Sequence, residues 1–178
     1  MSDDDGRSDG PSGALDRVLG ASADEENPSG EQLRELLGGV RRIAVIGLSR
    51  FPEKPSRQVP GYLAQRGYDV VPVNPHAERV MGRTAYPNLA AVPGEVDLVM
   101  IYRPSDQAGS FVREALARPE RPAIWLSEGI RADAEIAEAR RSGVTAVQDL
   151  CAYKVLVALR DAVMPEGPPP PAPRDPSG

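Results

Sequence analysis

Apolar residues fall into short runs separated by stretches with a different rhythm. The runs are IAVI at 43–46, VVPV at 70–73, VDLVMI at 96–101, AIWL at 123–126 and VTAV at 144–147. They are β-branched and most are nearly unbroken in apolar residues. An unbroken run signals a strand buried on both faces, as in a parallel sheet; a strand with one wet face would alternate. Between the runs the apolar positions take helical spacing, over 56–66, 105–117 and 133–141. Further helices are expected over about 152–162 and, ahead of the first strand, over 31–37. Gly67 and Gly143 follow two of these stretches and suit a left-handed stop, while Ser56 and Ser105 offer caps at two starts. Asp133 falls in a first turn, where a negative charge suits the helix dipole. This alternation predicts an α/β fold: one Rossmann-like, doubly wound domain of about five parallel strands with helices on both faces.

Composition divides the chain of 178 residues into three. Residues 1–30 are rich in Asp, Ser and Gly and hold eight acidic and two basic residues, so they read as an acidic leader without fixed structure. Within that leader Leu15, Val18 and Leu19 have helical spacing, which suits either a transient turn or a helix that docks. Residues 164–178 hold seven of the 19 prolines and read as an extended, solvated tail, for which an SH3-like partner is the alternative. The stretch 31–163 is one domain in length. The net charge of -5 therefore belongs to the ends, and the domain itself is slightly basic. An acidic balance argues against a nucleic-acid binder. No apolar run approaches membrane-spanning length and the start does not resemble a signal peptide, so a soluble, cytoplasmic protein is expected. One cysteine and one histidine can form neither an internal disulfide nor a four-ligand zinc site, and no metal is expected.

Ligands of doubly wound sheets bind outside the carboxyl ends of the strands, so the residues after each run carry the chemistry. After the first strand Gly47, Leu48, Ser49 and Arg50 lead through Lys54 and Ser56 to Arg57. A tight glycine turn, hydroxyls, a helix start and one of only two lysines form a phosphate-binding layout. Neither G-x-G-x-x-G nor a Walker loop is present. After the second strand come Asn74, Pro75 and His76, where enzymes using NAD usually place an acidic residue; a neutral end tolerates a phosphorylated ribose and tilts the choice toward NADP-like or CoA-like ligands. Arg103 follows the third strand and can fork onto a phosphate or pair with Glu128, which follows the fourth strand with Ser127 and Gly129. Cys151 precedes the last helix, where a thiol is either activated or a buried small hydrophobe.

Together RRIAVIGLS (41–49), KPS (54–56), GYDVVPVNP (67–75), GRTAYP (82–87), VDLV (96–99), RP (103–104), WLSEGI (125–130) and DLC (149–151) resemble the small bacterial CoA-binding proteins. Those are Rossmann-like domains related to the CoA-binding domain of the succinyl-CoA synthetase alpha subunit. The resemblance covers about 34–160. It implies coenzyme A in the cleft, its diphosphate at the 47–56 loop with Lys54 on phosphate, and its adenosine near Val73 and Asn74. By the same resemblance Arg103 and Ser127, Glu128 and Gly129 line the pantetheine side. Pro60 departs from the pattern, standing inside a helix where the family commonly has a small helix former. The segment after Cys151 lacks the His or acidic residues often found there. The synthetase's phosphorylated histidine and nucleotide site lie in further domains, so ligase activity is not expected here.

The reading is a nucleotide-binding protein that takes CoA or acyl-CoA as its small-molecule ligand, without a catalytic residue and with no protein partner identified. Two alternatives stay open. One is an NAD(P)-binding oxidoreductase or sensor, which the absent glycine fingerprint disfavours. The other is a redox protein in which Cys151 forms a mixed disulfide with CoA.

Overall fold

The computed structural model describes residues 11–159. Its centre is a parallel sheet of five strands: β1 (Arg42–Ile46), β2 (Asp69–Val73), β5 (Leu98–Ile101), β6 (Ala123–Leu126) and β7 (Ala146–Val147). A short antiparallel pair, β3 (Arg79–Val80) and β4 (Arg83–Thr84), lies between β2 and β5 in the chain. The order across the sheet is β2-β1-β5-β6-β7, every neighbouring pair parallel. The chain moves outward from β1 to β2 and then returns to β5 on the other side of β1. That reversal opens a crevice between the carboxyl ends of β1 and β5.

The unbroken apolar runs are buried on both faces as their pattern requires. Every residue of β2 is buried, as are Ile43 to Ile46 of β1 and all of β5. One face packs against α2 (Gly30–Gly39), α3 (Pro55–Gln65) and α6 (Ala152–Leu159); the other packs against α4 (Ser105–Leu116) and α5 (Asp133–Arg141). Trp125 is fully buried and its indole N–H donates to the Leu150 carbonyl at 2.7 Å. Tyr68 is also fully buried, and its hydroxyl donates to the Leu37 carbonyl at 2.6 Å. Burial without an acceptor would cost each of these groups a hydrogen bond, and both have one. Pro72 sits within β2 because β2 is the edge strand: the proline has no N–H to give, and its carbonyl accepts from Tyr86 N–H at 3.0 Å.

Three expectations are corrected. Ser56 and Ser105 do not cap their helices; Lys54 and Pro104 occupy those cap positions without a side-chain bond, and each serine lies within the first turn. The strand expected over 144–147 is shorter, since only Ala146 and Val147 pair with β6. Within the expected leader, residues from Pro11 onward have a fixed place. Helix α1 (Pro11–Gly20) buries Leu15 against the core, and Asp24 is buried beside Arg140. The spaced apolar residues 15, 18 and 19 form a docked helix because α6 offers a partner that a short isolated helix lacks. The expectations for 1–10 and for the tail 164–178 lie outside the described residues.

Candidate functional site

Gly47 ends β1 in the left-handed region at φ 81. A side chain is excluded there on space as well, since a Cβ would lie 2.9 Å from the Tyr102 carbonyl oxygen and 3.1 Å from Arg103 Cδ. This close approach lets the loop after β1 pass beside the end of β5. The loop then folds on itself, with Phe51 N–H donating to Ser49 Oγ at 3.0 Å and Lys54 N–H to the Phe51 carbonyl at 3.2 Å.

Pro60, the departure from the family pattern, acts on this loop. It sits inside α3 and has no N–H, so the Ser56 carbonyl four residues earlier has no helical donor. That carbonyl accepts instead from Ser49 N–H at 3.2 Å, tying the loop to the helix. The helix start offers fewer donors than its sequence suggests. Pro55 has none, and the N–H groups of Arg57 and Gln58 both bond the Lys54 carbonyl at 2.9 Å. Anion-binding capacity in the loop therefore rests largely on the side chains of Arg50 and Lys54. Both cations lie over the Phe51 ring, at 5.0 and 5.4 Å from its centroid, so an aromatic residue helps to gather them.

The loop forms one wall of a cleft of about 500 Å³ at the carboxyl ends of β1, β2 and β5. Gly47, Leu48, Ser49, Arg50, Lys54 and Ser56 contribute from the first strand's end. Val73, Asn74, Pro75 and His76 contribute from the second, and Tyr102 and Arg103 from the third. The volume falls in the range of small-molecule sites. Asn74 braces the cleft: its amide donates to the Leu48 carbonyl at 3.1 Å and its oxygen accepts from His76 N–H at 2.8 Å. Arg103 does not pair with Glu128. Its guanidinium donates twice to Gln107 Oε1, at 3.2 and 2.8 Å, which holds it at the cleft wall without neutralising it. Glu114 brings a carboxylate to the far side.

Arg57, Ser127, Glu128 and Gly129 do not line this cleft. Arg57 runs back along α3 toward Gly61. Glu128 accepts from Lys154 Nζ at 2.8 and 3.0 Å, and the carboxylate raises the lysine's pKa. Ser127 lies beside Tyr102, whose hydroxyl is shut off from solvent without a hydrogen bond of ordinary geometry. Burial pushes the Tyr102 pKa well above its usual value, and the neighbouring Ser127 works the other way. Tyr102 thus stands between the cleft and a second corner where Cys151 is partly exposed.

Sequence reasoning missed Phe51, Tyr102 and Phe111, which supply aromatic surface to the cleft, and the 87–89 segment that closes one side. No local signal marks them. The 87–89 segment arrives because Asn74 N–H bonds the Tyr86 carbonyl at 2.9 Å, and Phe111 arrives from the second turn of α4. A shallower depression of about 910 Å³ between residues 88–95 and 114–120 has its guanidinium, Arg118, bound to Glu120 and to the Leu89 and Gly94 carbonyls, which marks it as structural. Among the described residues no cluster of three or more His, Cys, Asp or Glu is placed to hold a metal, and no helix is long and apolar enough to cross a membrane.

The fold and cleft define a parallel α/β domain with a cationic, glycine-hinged loop at the switch point of its sheet. A family described as CoA binding domain matches residues 41–156, and the chain belongs to it. The uncharacterized protein YneT of Bacillus subtilis is 32% identical over 126 residues, covering 71% of this chain and 93% of its own. A Thermus thermophilus structure superposes with a TM-score of 0.70 at 32% identity, over 75% of this chain and all (100%) of that one. A hypothetical protein from Pyrococcus horikoshii gives 0.69 at 28% identity, over 76% and 98%. An ADP-forming acetate–CoA ligase of Archaeoglobus fulgidus is 30% identical over 97 residues, which is 53% of this chain but 14% of the ligase.

Proposed function

We propose that this protein binds coenzyme A or an acyl-CoA in the cleft, as a binding or regulatory protein rather than a catalyst. The observation that carries the reading is the loop 47–56, which brings a glycine hinge, Arg50 and Lys54 to the switch point of a domain of the CoA-binding family. The donor set suits the ligand. Arg50 and Lys54 fit a diphosphate, the neutral Asn74 end of β2 has no carboxylate to repel a phosphorylated ribose, and the aromatic surfaces fit a base and an apolar arm. Of the residues expected on the pantetheine side, Arg103 is at the cleft, and Ser127 and Glu128 lie beyond Tyr102 toward Cys151. An arm leaving the cleft past Tyr102 would meet them. The ligases that share this domain are far longer than this chain, and their activity is not assigned to it.

Calorimetric titration of the full chain with CoA, acetyl-CoA, NAD and NADP tests the reading. A Kd for CoA of order micromolar is expected, with weaker NAD binding. Lys54→Ala should weaken CoA binding roughly tenfold, the scale of one charged hydrogen-bonding contact. NAD binding more tightly than CoA would overturn the ligand assignment, and an unchanged affinity in the variant would remove Lys54 from the site.

A further inference from the structure

Residues 11–29 lie outside the family-matched stretch, yet they are fastened to α6 and to the residues just past β7. Helix α1 packs on α6, with Leu15 buried in the same apolar cluster as Val155 and Leu156. Gly30, at the start of α2, makes room for it: a Cβ there would sit 2.5 Å from Leu15 Cδ2.

The strap after α1 is held by polar bonds of a specific kind. The Asn27 amide donates to the Gln148 carbonyl at 2.8 Å and accepts from Gln148 N–H at 3.0 Å. One side chain thus pairs both backbone groups just past β7, as a neighbouring strand would. Asp24 is buried against Arg140 at 3.0 Å. Asp149 then joins the strap to the loop after β6. Its Oδ2 accepts from Ala23 N–H at 2.9 Å and its Oδ1 from Gly129 N–H at 2.7 Å. Asp149 has φ 52, a left-handed conformation that a residue with a side chain adopts rarely, and here both carboxylate oxygens are used. The α1 end of the strap also lies against the Cys151 corner, leaving the cysteine partly exposed. Val18, Ala21 and Ser22 face Glu128, Cys151 and Lys154 across a recess of only about 30 Å³. That is roughly the scale of a single water molecule.

We infer that residues 11–29 are a cover built into the site, holding the Glu128–Gly129 loop through Asp149 and restricting approach to the Cys151 thiol. The loop-holding half rests on the ligand reading above; the shielding half does not. When the cover is docked, it narrows the approach to the Cys151 corner, where the cysteine stays only partly exposed. When it lifts, the Ala23–Asp149 bond is lost, and the carboxylate that also accepts from Gly129 N–H gives up one of its two partners, so the Glu128–Gly129 loop is held less firmly.

Cys151 is the single cysteine of the chain, so its reactivity reports on the cover without ambiguity. The full-length protein is reacted with 5,5′-dithiobis(2-nitrobenzoate) in the absence of CoA, each thiolate releasing one thionitrobenzoate. Leu15→Asp, which undocks α1, and Asn27→Ala, which removes the clamp while leaving the helix apolar face intact, are compared with the natural chain. Both should react roughly tenfold or more faster, since local opening and not global unfolding then limits access, and both should bind CoA several-fold more weakly. If Leu15→Asp fails to melt cooperatively, Asn27→Ala decides alone. Equal thiol rates in a cooperatively folded variant overturn the cover. Faster thiol rates with unchanged CoA affinity overturn the loop-holding half. Failure of the natural chain to bind CoA overturns the ligand reading, while the thiol rates still judge the shielding.

Discussion

Gly47 offers a quantitative test because Gly129 provides its control. Both have φ 81, so a Gly→Ala substitution imposes the same backbone strain on each, about 1–2 kcal/mol. Their surroundings differ. At Gly129 no atom lies within 4 Å of an added Cβ, whereas at Gly47 the Tyr102 carbonyl oxygen lies at 2.9 Å, its carbon at 3.2 Å and Arg103 Cδ at 3.1 Å. The arginine can swing away but the backbone of β5's end cannot, so crowding there adds about 1–3 kcal/mol. Gly129→Ala should therefore lose about 1 kcal/mol in urea unfolding, and Gly47→Ala about 3 kcal/mol. Relief at Gly47 requires the loop to move from β5, which carries Ser49, Arg50 and Lys54 off the cleft wall. CoA affinity should then fall tenfold or more, about 1.4 kcal/mol. Equal stability losses would show that the close approach at Gly47 is not rigid, and a Gly47→Ala protein with full affinity would show that the loop does not bear on the ligand.

Two further expectations rest on a backbone tie and on a buried phenol. Pro60→Ala gives α3 an N–H that competes for the Ser56 carbonyl; stability should rise by about 1 kcal/mol or more, because an interior proline costs up to about 3, while the Ser49 amide exchanges faster and CoA binds more weakly. Unchanged Ser49 exchange in the variant would refute the tie. Burial pushes the Tyr68 pKa up to about 12 from 10.0. The fold thus favours the protonated phenol, and the stability this contributes is complete below pH 10 and lost as pH rises from 10 toward 12, on the order of 3 kcal/mol. Tyr68→Phe should reduce that alkaline slope in pH-dependent unfolding, leaving the part that belongs to the buried Tyr102, and an unchanged slope would place its source elsewhere.

The sheet and its helices were legible because burial on both faces demands continuous apolar runs, and such runs have few alternative meanings. The loop after β1 was legible for a related reason: glycine, hydroxyls and Lys54 lie within ten residues of one another, so local spacing carries the signal. Arg103 and Asn74 could be placed at strand ends, but their partners could not. Whether Arg103 would meet Glu128 or Gln107 depends on helix α4 starting at Ser105 and turning Gln107 toward it, and Glu128 is held by a lysine from α6.

Tertiary structure alone decided the fate of residues 11–29. An acidic stretch with three spaced apolar residues has too little apolar surface to fold by itself, and only the face of α6 and the free backbone groups of Gln148 convert it into a docked cover. The cleft was decided in the same way. Strand order sets β5 against β1 and brings Phe51, Tyr102 and Phe111 to one cleft, residues 60 positions apart in the chain at the extremes (51 to 111), with no local pattern linking them. Periodicity determines which residues are buried and in which element, because it reflects forces acting within a few residues. Which buried and exposed groups then meet is fixed by contacts between distant segments, and those exist only once the sheet has chosen its order.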